Sequence, residues 1–286
     1  MTPPPTFLDL PPDLADPQRA RYVVLPVPYE GAVSYARGTA AGPAAILAAS
    51  AQVELYDEEL GAECVAAGVA TLPPVEPADD PAAMMDRVRA AAGPLMREGT
   101  FVLALGGEHS ITAPLVAAAR EAFGDLSVLH VDAHADLRDA YGGTPHSHAC
   151  VMRRVLEVTP HLVQVGIRSL SKEEVEACPE QVARFITPAM CDDDPNWTDR
   201  VLGGLGPRVY VTVDMDGLDP SVAPGVGTPE PGGLSWRQVL RLLRRVAAER
   251  EVVAADVVET CPIPGQPLTE FVAARLAYKI IAYTQA

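Results

Sequence analysis

Basic residues are scarce in this chain. Its 22 lysines and arginines stand against 38 aspartates and glutamates, a formal net charge of −16, so it lacks the basic footprint that nucleic-acid binding needs. It has no apolar run of membrane-spanning length. Its first 20 residues are rich in proline and acidic side chains, without the basic start and apolar middle of an export signal. Cysteine is sparse as well: Cys64, Cys150, Cys178, Cys191 and Cys261 are odd in number and far apart, a pattern of buried thiols rather than of a disulfide framework. These absences set aside a nucleic-acid binder, a membrane protein and a disulfide-stapled domain, and they lead us to expect a cytoplasmic protein. An acidic balance of this size is first of all a solvated surface, although it also favours the approach of a cationic ligand.

What the chain does have is a series of short apolar runs separated by helical patterns. At 286 residues, 48% of them hydrophobic, it can bury a large core as one α/β domain. Strands are expected over 21–28, 101–105, 126–132, 162–167, 183–186, 209–213 and 252–258. Helices are expected over 43–50, 82–98, 111–122, 147–158, 172–177, 235–250 and 269–282, the second kinked or split at Gly93-Pro94. Ser235-Trp236-Arg237-Gln238 fits a capping box. Nearly all-apolar strands alternating with helices imply a parallel sheet covered on both faces. No linker or internal repeat divides residues 1–286, and 1–20 should run over the surface as a proline-rich segment.

The chemistry sits where three apolar runs end. The run 101–105 leads into Gly106-Gly107-Glu108-His109-Ser110, 126–132 into Asp132-Ala133-His134-Ala135-Asp136, and 209–213 into Asp214-Met215-Asp216-Gly217-Leu218-Asp219-Pro220. In an open parallel sheet ligands gather beyond the carboxyl ends of the strands. In an extended chain Asp132, His134 and Asp136 also point to one side. Four carboxylates and two imidazoles brought together need a cation, and six such groups suffice for two. An oxygen-rich set with a minority of imidazole and no cysteine suits manganese better than zinc.

These segments, GGEHS, DAHAD and TVDMDGLDPSVAPGVGTPEPGG, resemble the signature segments of the ureohydrolases, the arginase and agmatinase superfamily. The resemblance extends to 28–50 and 256–262. It implies an arginase-like single domain with a central eight-stranded parallel sheet, often assembled as a homo-oligomer, a trimer or hexamer. It also implies two Mn²⁺ ions per chain, one held by His109, Asp132, Asp136 and Asp214, the other by Asp132, His134, Asp214 and Asp216. A bridging hydroxide, hydrogen-bonded to Asp136, would attack the guanidinium carbon. His148 falls where the family carries its catalytic histidine, which moves a proton to the departing amine; His146 is its neighbour and rival. Glu259, in DVVETCP, falls where a glutamate binds the guanidinium of the substrate. Among the remaining candidates, Asp219 reads as a turn former, His130 as a packed or supporting histidine, and His161 as uninvolved. Tyr29, Glu30 and Tyr35 are candidates for the pocket edge.

Arginases carry an asparagine-containing loop before the catalytic histidine that recognises an α-carboxylate. Here that stretch is RDAYGGTPHS, without asparagine. The departure favours a small cationic guanidine without a carboxylate. Together with the SHAC-VMRR and PYEGAVSYARGT runs it puts agmatine first, cleaved to putrescine and urea. N1-aminopropylagmatine is the alternative, then arginine and other guanidino or formimino substrates. A catalytically silent metal-binding relative would be signalled by a lost ligand, shuttle histidine or glutamate, and none is lost.

Overall fold

The computed structural model describes residues 5–285. Its centre is a seven-stranded sheet in which every neighbouring pair is parallel. In chain order the strands are β1 (Tyr22–Val27), β2 (Val69–Thr71), β3 (Phe101–Gly106), β4 (Ser127–Val131), β5 (Leu162–Val165), β6 (Arg208–Asp214) and β7 (Glu251–Val258). Their order across the sheet is β2-β1-β3-β7-β6-β4-β5. Alternating side chains feed two apolar layers. Leu129, Val131, Val211, Val213, Ala255 and Val257 face one layer, with the helices Gly42–Ser50, Trp236–Glu249 and Leu268–Tyr283. Val128, Tyr210, Ala254 and Val258 face the other, with Pro81–Arg97, Thr112–Phe123 and Val151–Val158.

The sheet has seven strands, not eight. The run expected as a strand over 183–186 contributes only one parallel bridge, Val165 with Ile186, beyond the edge strand β5. A helical turn, Pro179–Val182, precedes it and another helix begins at Pro188, so no residues remain to lengthen it. The three-residue β2 went unread in the sequence because it is short. Helix Pro81–Arg97 carries Pro94 without dividing. The Ser235–Gln238 capping box is formed, and Ser171–Glu174 forms a second. Residues 1–4 of the proline-rich segment lie outside the described residues, and the rest does not simply run over the surface. Phe7, Leu8 and Leu10 are buried, pinned by Phe7 N to Thr71 Oγ1 (2.8 Å) and Leu8 N to Ser50 Oγ (2.8 Å). No helix among the described residues is long and apolar enough to cross a membrane.

Candidate dinuclear metal centre

β3, β7, β6 and β4 are neighbours in the middle of the sheet, and the chain leaving each of them supplies the site. His109 follows β3, Glu259 follows β7, Asp214 ends β6 and Asp132 follows β4. Two glycines allow the loops to pack this closely. A Cβ on Gly107 would lie 2.1 Å from the carbonyl oxygen of Tyr29, and one on Gly217 would lie 2.8 Å from the amide of Asp132. Convergence of Asp132, His134 and Asp136 does not come from a continued strand. β4 ends at Val131, His134 bridges to Ser169, and Asp136 turns through φ 54°. That turn directs the Asp136 carbonyl to the amides of Met152 and Arg153 (3.0 and 3.1 Å), at the start of helix Val151–Val158.

The six candidate ligands meet in two sets that share Asp132. His109 Nδ1 lies 3.1 Å from Asp132 Oδ2, 3.4 Å from Asp136 Oδ2 and 3.1 Å from Asp214 Oδ2. His134 Nδ1 lies 3.0 Å from Asp216 Oδ2 and 3.5 Å from Asp132 Oδ1. Asp132 thus turns one oxygen to each histidine. The second oxygen of Asp214 accepts the Asp216 amide at 2.9 Å.

Burial and the charges of Asp216 and Asp132 push Asp214 well above its ordinary value, and burial and the charge of Asp132 raise Asp216. Burial and the charge of Asp132 raise Asp136 to about 7. Burial alone would lower both histidines, but the facing carboxylates outweigh it, raising His134 to about 12 and His109 well above its ordinary value. So concentrated a set of acids holds together by taking up positive charge, as protons or as cations. The fit to a metal is specific at His109, whose buried Nδ1 has no hydrogen-bond partner. Its other nitrogen meets Thr212 Oγ1 at 3.0 Å, and Thr212 donates to Asp256 Oδ1 at 2.6 Å. Thr212 therefore accepts from Nε2–H and leaves the Nδ1 lone pair aimed among three carboxylates, an arrangement that metal-ligating histidines commonly show. Asp256 is itself buried and held by Tyr210 and Thr112 (2.7 and 2.9 Å).

Above these ligands lies a narrow chamber lined by His134, Asp136, Asp214, Asp216, His148, Glu259, Ser34 and Thr228. It opens into an outer recess of about 390 Å³, reaching Arg138, Tyr141, Leu170 and Glu174. Glu259 stands on a left-handed turn (φ 62°), and its Oε1 accepts the His109 amide at 2.7 Å. Burial and the neighbouring Glu108 raise its carboxyl well above the ordinary value, a setting that a bound guanidinium would reverse. His148 lines both chambers, with Nε2 at 2.8 Å from Ser34 Oγ, and burial lowers its pKa. His146 lines neither.

Glu108 was not singled out in the sequence, yet it organises the rim. It is fully buried. Oε2 accepts the amides of Gly31 and Ala32 (2.7 and 2.6 Å) and Oε1 accepts that of His148 (3.1 Å). One carboxylate thereby ties the Ser34 loop to the histidine segment. The early loop reaches the pocket through Val33 and Ser34 rather than the expected trio. Tyr29 is buried, Glu30 turns back to the amide of Gly38 (2.7 Å), and Tyr35 points to solvent. Asp219 is a turn former that also closes the following loop. It accepts from Ser221, Gly232 and Gly233, bonds that lower its carboxyl to about 2. His161 is exposed at the start of β5.

The family model described as "Arginase family" matches residues 20–282. The chain belongs to the arginase family. Among its relatives in that family are N(1)-aminopropylagmatine ureohydrolases of Synechocystis sp. and Thermus thermophilus. The first is 40% identical, over 92% of this chain and 89% of the relative; the second is 44% identical, over 92% and 90%. A solved structure described as the agmatine ureohydrolase of Thermoplasma volcanium superposes with a TM-score of 0.86 at 36% identity, covering 94% of this chain and 91% of that one. Arginase-family proteins are ureohydrolases with a binuclear metal centre, and the His/Asp cluster here is suited to metal binding.

Proposed function

We propose that this arginase-family chain binds two Mn²⁺ ions and hydrolyses the guanidinium of N1-aminopropylagmatine to urea and spermidine. The observation that carries hydrolysis is the meeting of six metal-type donors, four of which (His134, Asp136, Asp214 and Asp216) line one chamber with Glu259 and His148. Two divalent ions held there would supply a water ionised near neutral pH. In this reading the Glu259 carboxylate pairs with the guanidinium and fixes its carbon over the centre. Asp136 accepts a hydrogen bond from the attacking water and orients it. The water oxygen bonds to the guanidinium carbon, the bond from that carbon to the substituted nitrogen breaks, and His148 passes a proton to the departing amine.

The choice of tail is supported by the outer recess, which continues the inner chamber past Tyr141 and Leu170, and by the names of the relatives at 40% and 44% identity. Arg138 in that recess is paired with Glu173 at 3.3 Å, so the wall does not present an unopposed positive charge to a polyamine. The aminopropyl extension adds three methylenes, each contributing about 0.8 kcal/mol if buried. Agmatine, put first by the sequence, is the second reading: the inner chamber serves either guanidine, and the Thermoplasma structure carries that substrate in its name. Comparison of kcat/KM for the two substrates with manganese-loaded protein separates them. A preference of roughly tenfold or more for aminopropylagmatine is expected. A preference for agmatine would reverse the assignment and leave the chemistry standing.

A further inference from the structure

A row of buried polar side chains crosses the sheet one layer beneath the ligands. Strand pairing sets His130 of β4 beside Gln164 of β5 and Thr212 of β6, and Thr212 beside Asp256 of β7. The Thr212–Asp256 half serves His109. The other half ends on Asp132, and its hydrogen bonds run in one direction. Gln181 gives its amide hydrogens to Leu162 O (3.1 Å) and Gln164 Oε1 (3.0 Å). Gln164 gives its own to Ala135 O (2.8 Å) and His130 Nδ1 (3.0 Å). Turning the Gln164 amide over would set its oxygen against the Ala135 carbonyl and its NH₂ against that of Gln181, so its orientation is fixed by its partners. His130 Nδ1 is therefore an acceptor. The ring hydrogen is on Nε2, donated to Asp132 Oδ2 at 2.7 Å.

We propose that His130, locked in this tautomer by Gln164 and Gln181, is a positioning residue for Asp132 and not itself a metal ligand. The distinction matters because His130 lies within ligating reach of His109, Asp132 and Asp136. Both of its nitrogens are committed, one accepting from Gln164 and the other donating to Asp132. Asp132 is the carboxylate that faces both histidines of the centre, so its rotation would disturb both metal sets together. The His134 amide holds Asp132 Oδ1 at 2.6 Å, and the His130 N–H fixes the other oxygen, the one that faces His109. This inference rests on the metal-centre reading.

The test is calorimetric titration of Mn²⁺ into chelator-stripped protein, comparing wild type with His130→Phe, His130→Gln and Gln164→Leu. Wild type is expected to take two ions. His130→Phe should take the same number with affinity weakened about 10- to 100-fold, the usual effect of losing a partner behind a ligand. His130→Gln keeps an N–H donor and should recover much of the loss. Gln164→Leu, which leaves the ring but frees its tautomer, should weaken binding in between. Thermal melts of the stripped variants, expected to match wild type, separate the metal effect from a folding defect. Wild-type affinity in both His130→Phe and Gln164→Leu would overturn the proposal and leave the metal centre intact. Loss of one whole ion from His130→Phe at saturating Mn²⁺ would make His130 a ligand and overturn it too. Failure of wild type to bind Mn²⁺ would instead overturn the metal centre itself.

Discussion

Asp136 and Glu259 both have a backbone in the left-handed region, at φ 54° and 62°, where a side chain costs about 1–3 kcal/mol. Each is held there by bonds that also build the site. The Asp136 carbonyl receives two amides of the following helix, and the Glu259 amide donates to Gly107 O at 2.8 Å. Their side chains are consequently fixed before any substrate arrives. Glu259→Gln should raise KM about 10- to 100-fold, the loss of charge-assisted bonds to a guanidinium, with metal content unchanged; undiminished affinity would remove Glu259 from substrate binding. His148→Asn should lower kcat about 10²- to 10⁴-fold while metal content stays at the wild-type level. Unchanged turnover would move the proton shuttle elsewhere, His146 first. Glu108→Ala frees both the Ser34 loop and the His148 segment. Its kcat should fall by about 10²-fold, the scale of an ångström-sized misplacement, and a wild-type kcat would make Glu108 a purely structural residue.

At the scale of the elements, the sequence was most legible where a strand is long and wholly apolar. β3, β4, β6 and β7 each announce themselves by such a run; the six candidate donors lie at the ends of the first three and Glu259 follows β7, so the donors could be named from their places along the chain. Glu108, Thr212, Asp256 and Gln164 were illegible as functional candidates for a physical reason. Their roles arise from partners across the sheet or in distant loops, such as Glu108 with Ala32, 76 residues away, and Thr212 with Asp256, 44 away. Strand register, which no local pattern states, brings them together. The run at 183–186 misled because it has strand composition but too little length between two helices. The buried Phe7–Leu8 pair was hidden by the prolines around it. Removing the metals should loosen the loops after β3, β4 and β6 together, since their acids then face one another. Adding Mn²⁺ at 100 times its dissociation constant should stabilise the stripped protein by about 2.7 kcal/mol per site, read as a higher Tm; no shift would mean that the cluster binds no ion.

At the scale of the whole molecule, the carboxy-terminal helix is fastened by a charge buried far from the pocket. Lys279 is fully buried and lies 2.9 Å from Asp57 and 3.2 Å from both Glu58 and Glu59, while Tyr278 and Tyr283 hydrogen-bond the same segment through Leu55 and Glu59. Burial would raise the Asp57 carboxyl, but Lys279 and the amides of Leu60 and Glu59 outweigh it and lower it. Its contribution is therefore present above the ordinary aspartate pKa of about 3.9 and fades as pH falls through the lower folded value. Burial would lower Lys279, and the three carboxylates raise it instead. Its contribution is full below about pH 10.4 and fades as pH rises through the folded value. In chemical denaturation this pair's part of the stability should thus be level between those limits. Lys279→Met should lower it by about 3–5 kcal/mol by stranding Asp57, and a loss under 1 kcal/mol would show the pair to be dispensable. The assembly is expected to be a trimer or hexamer, which sedimentation would show; a monomer would contradict that expectation.

The most direct measurement is urea release from aminopropylagmatine by chelator-stripped protein as Mn²⁺ is added, with bound metal counted at each step. Dinuclear hydrolysis gives no urea without metal and full activity only once two ions are bound per chain. Full activity at one ion, or urea from the stripped protein, would contradict it.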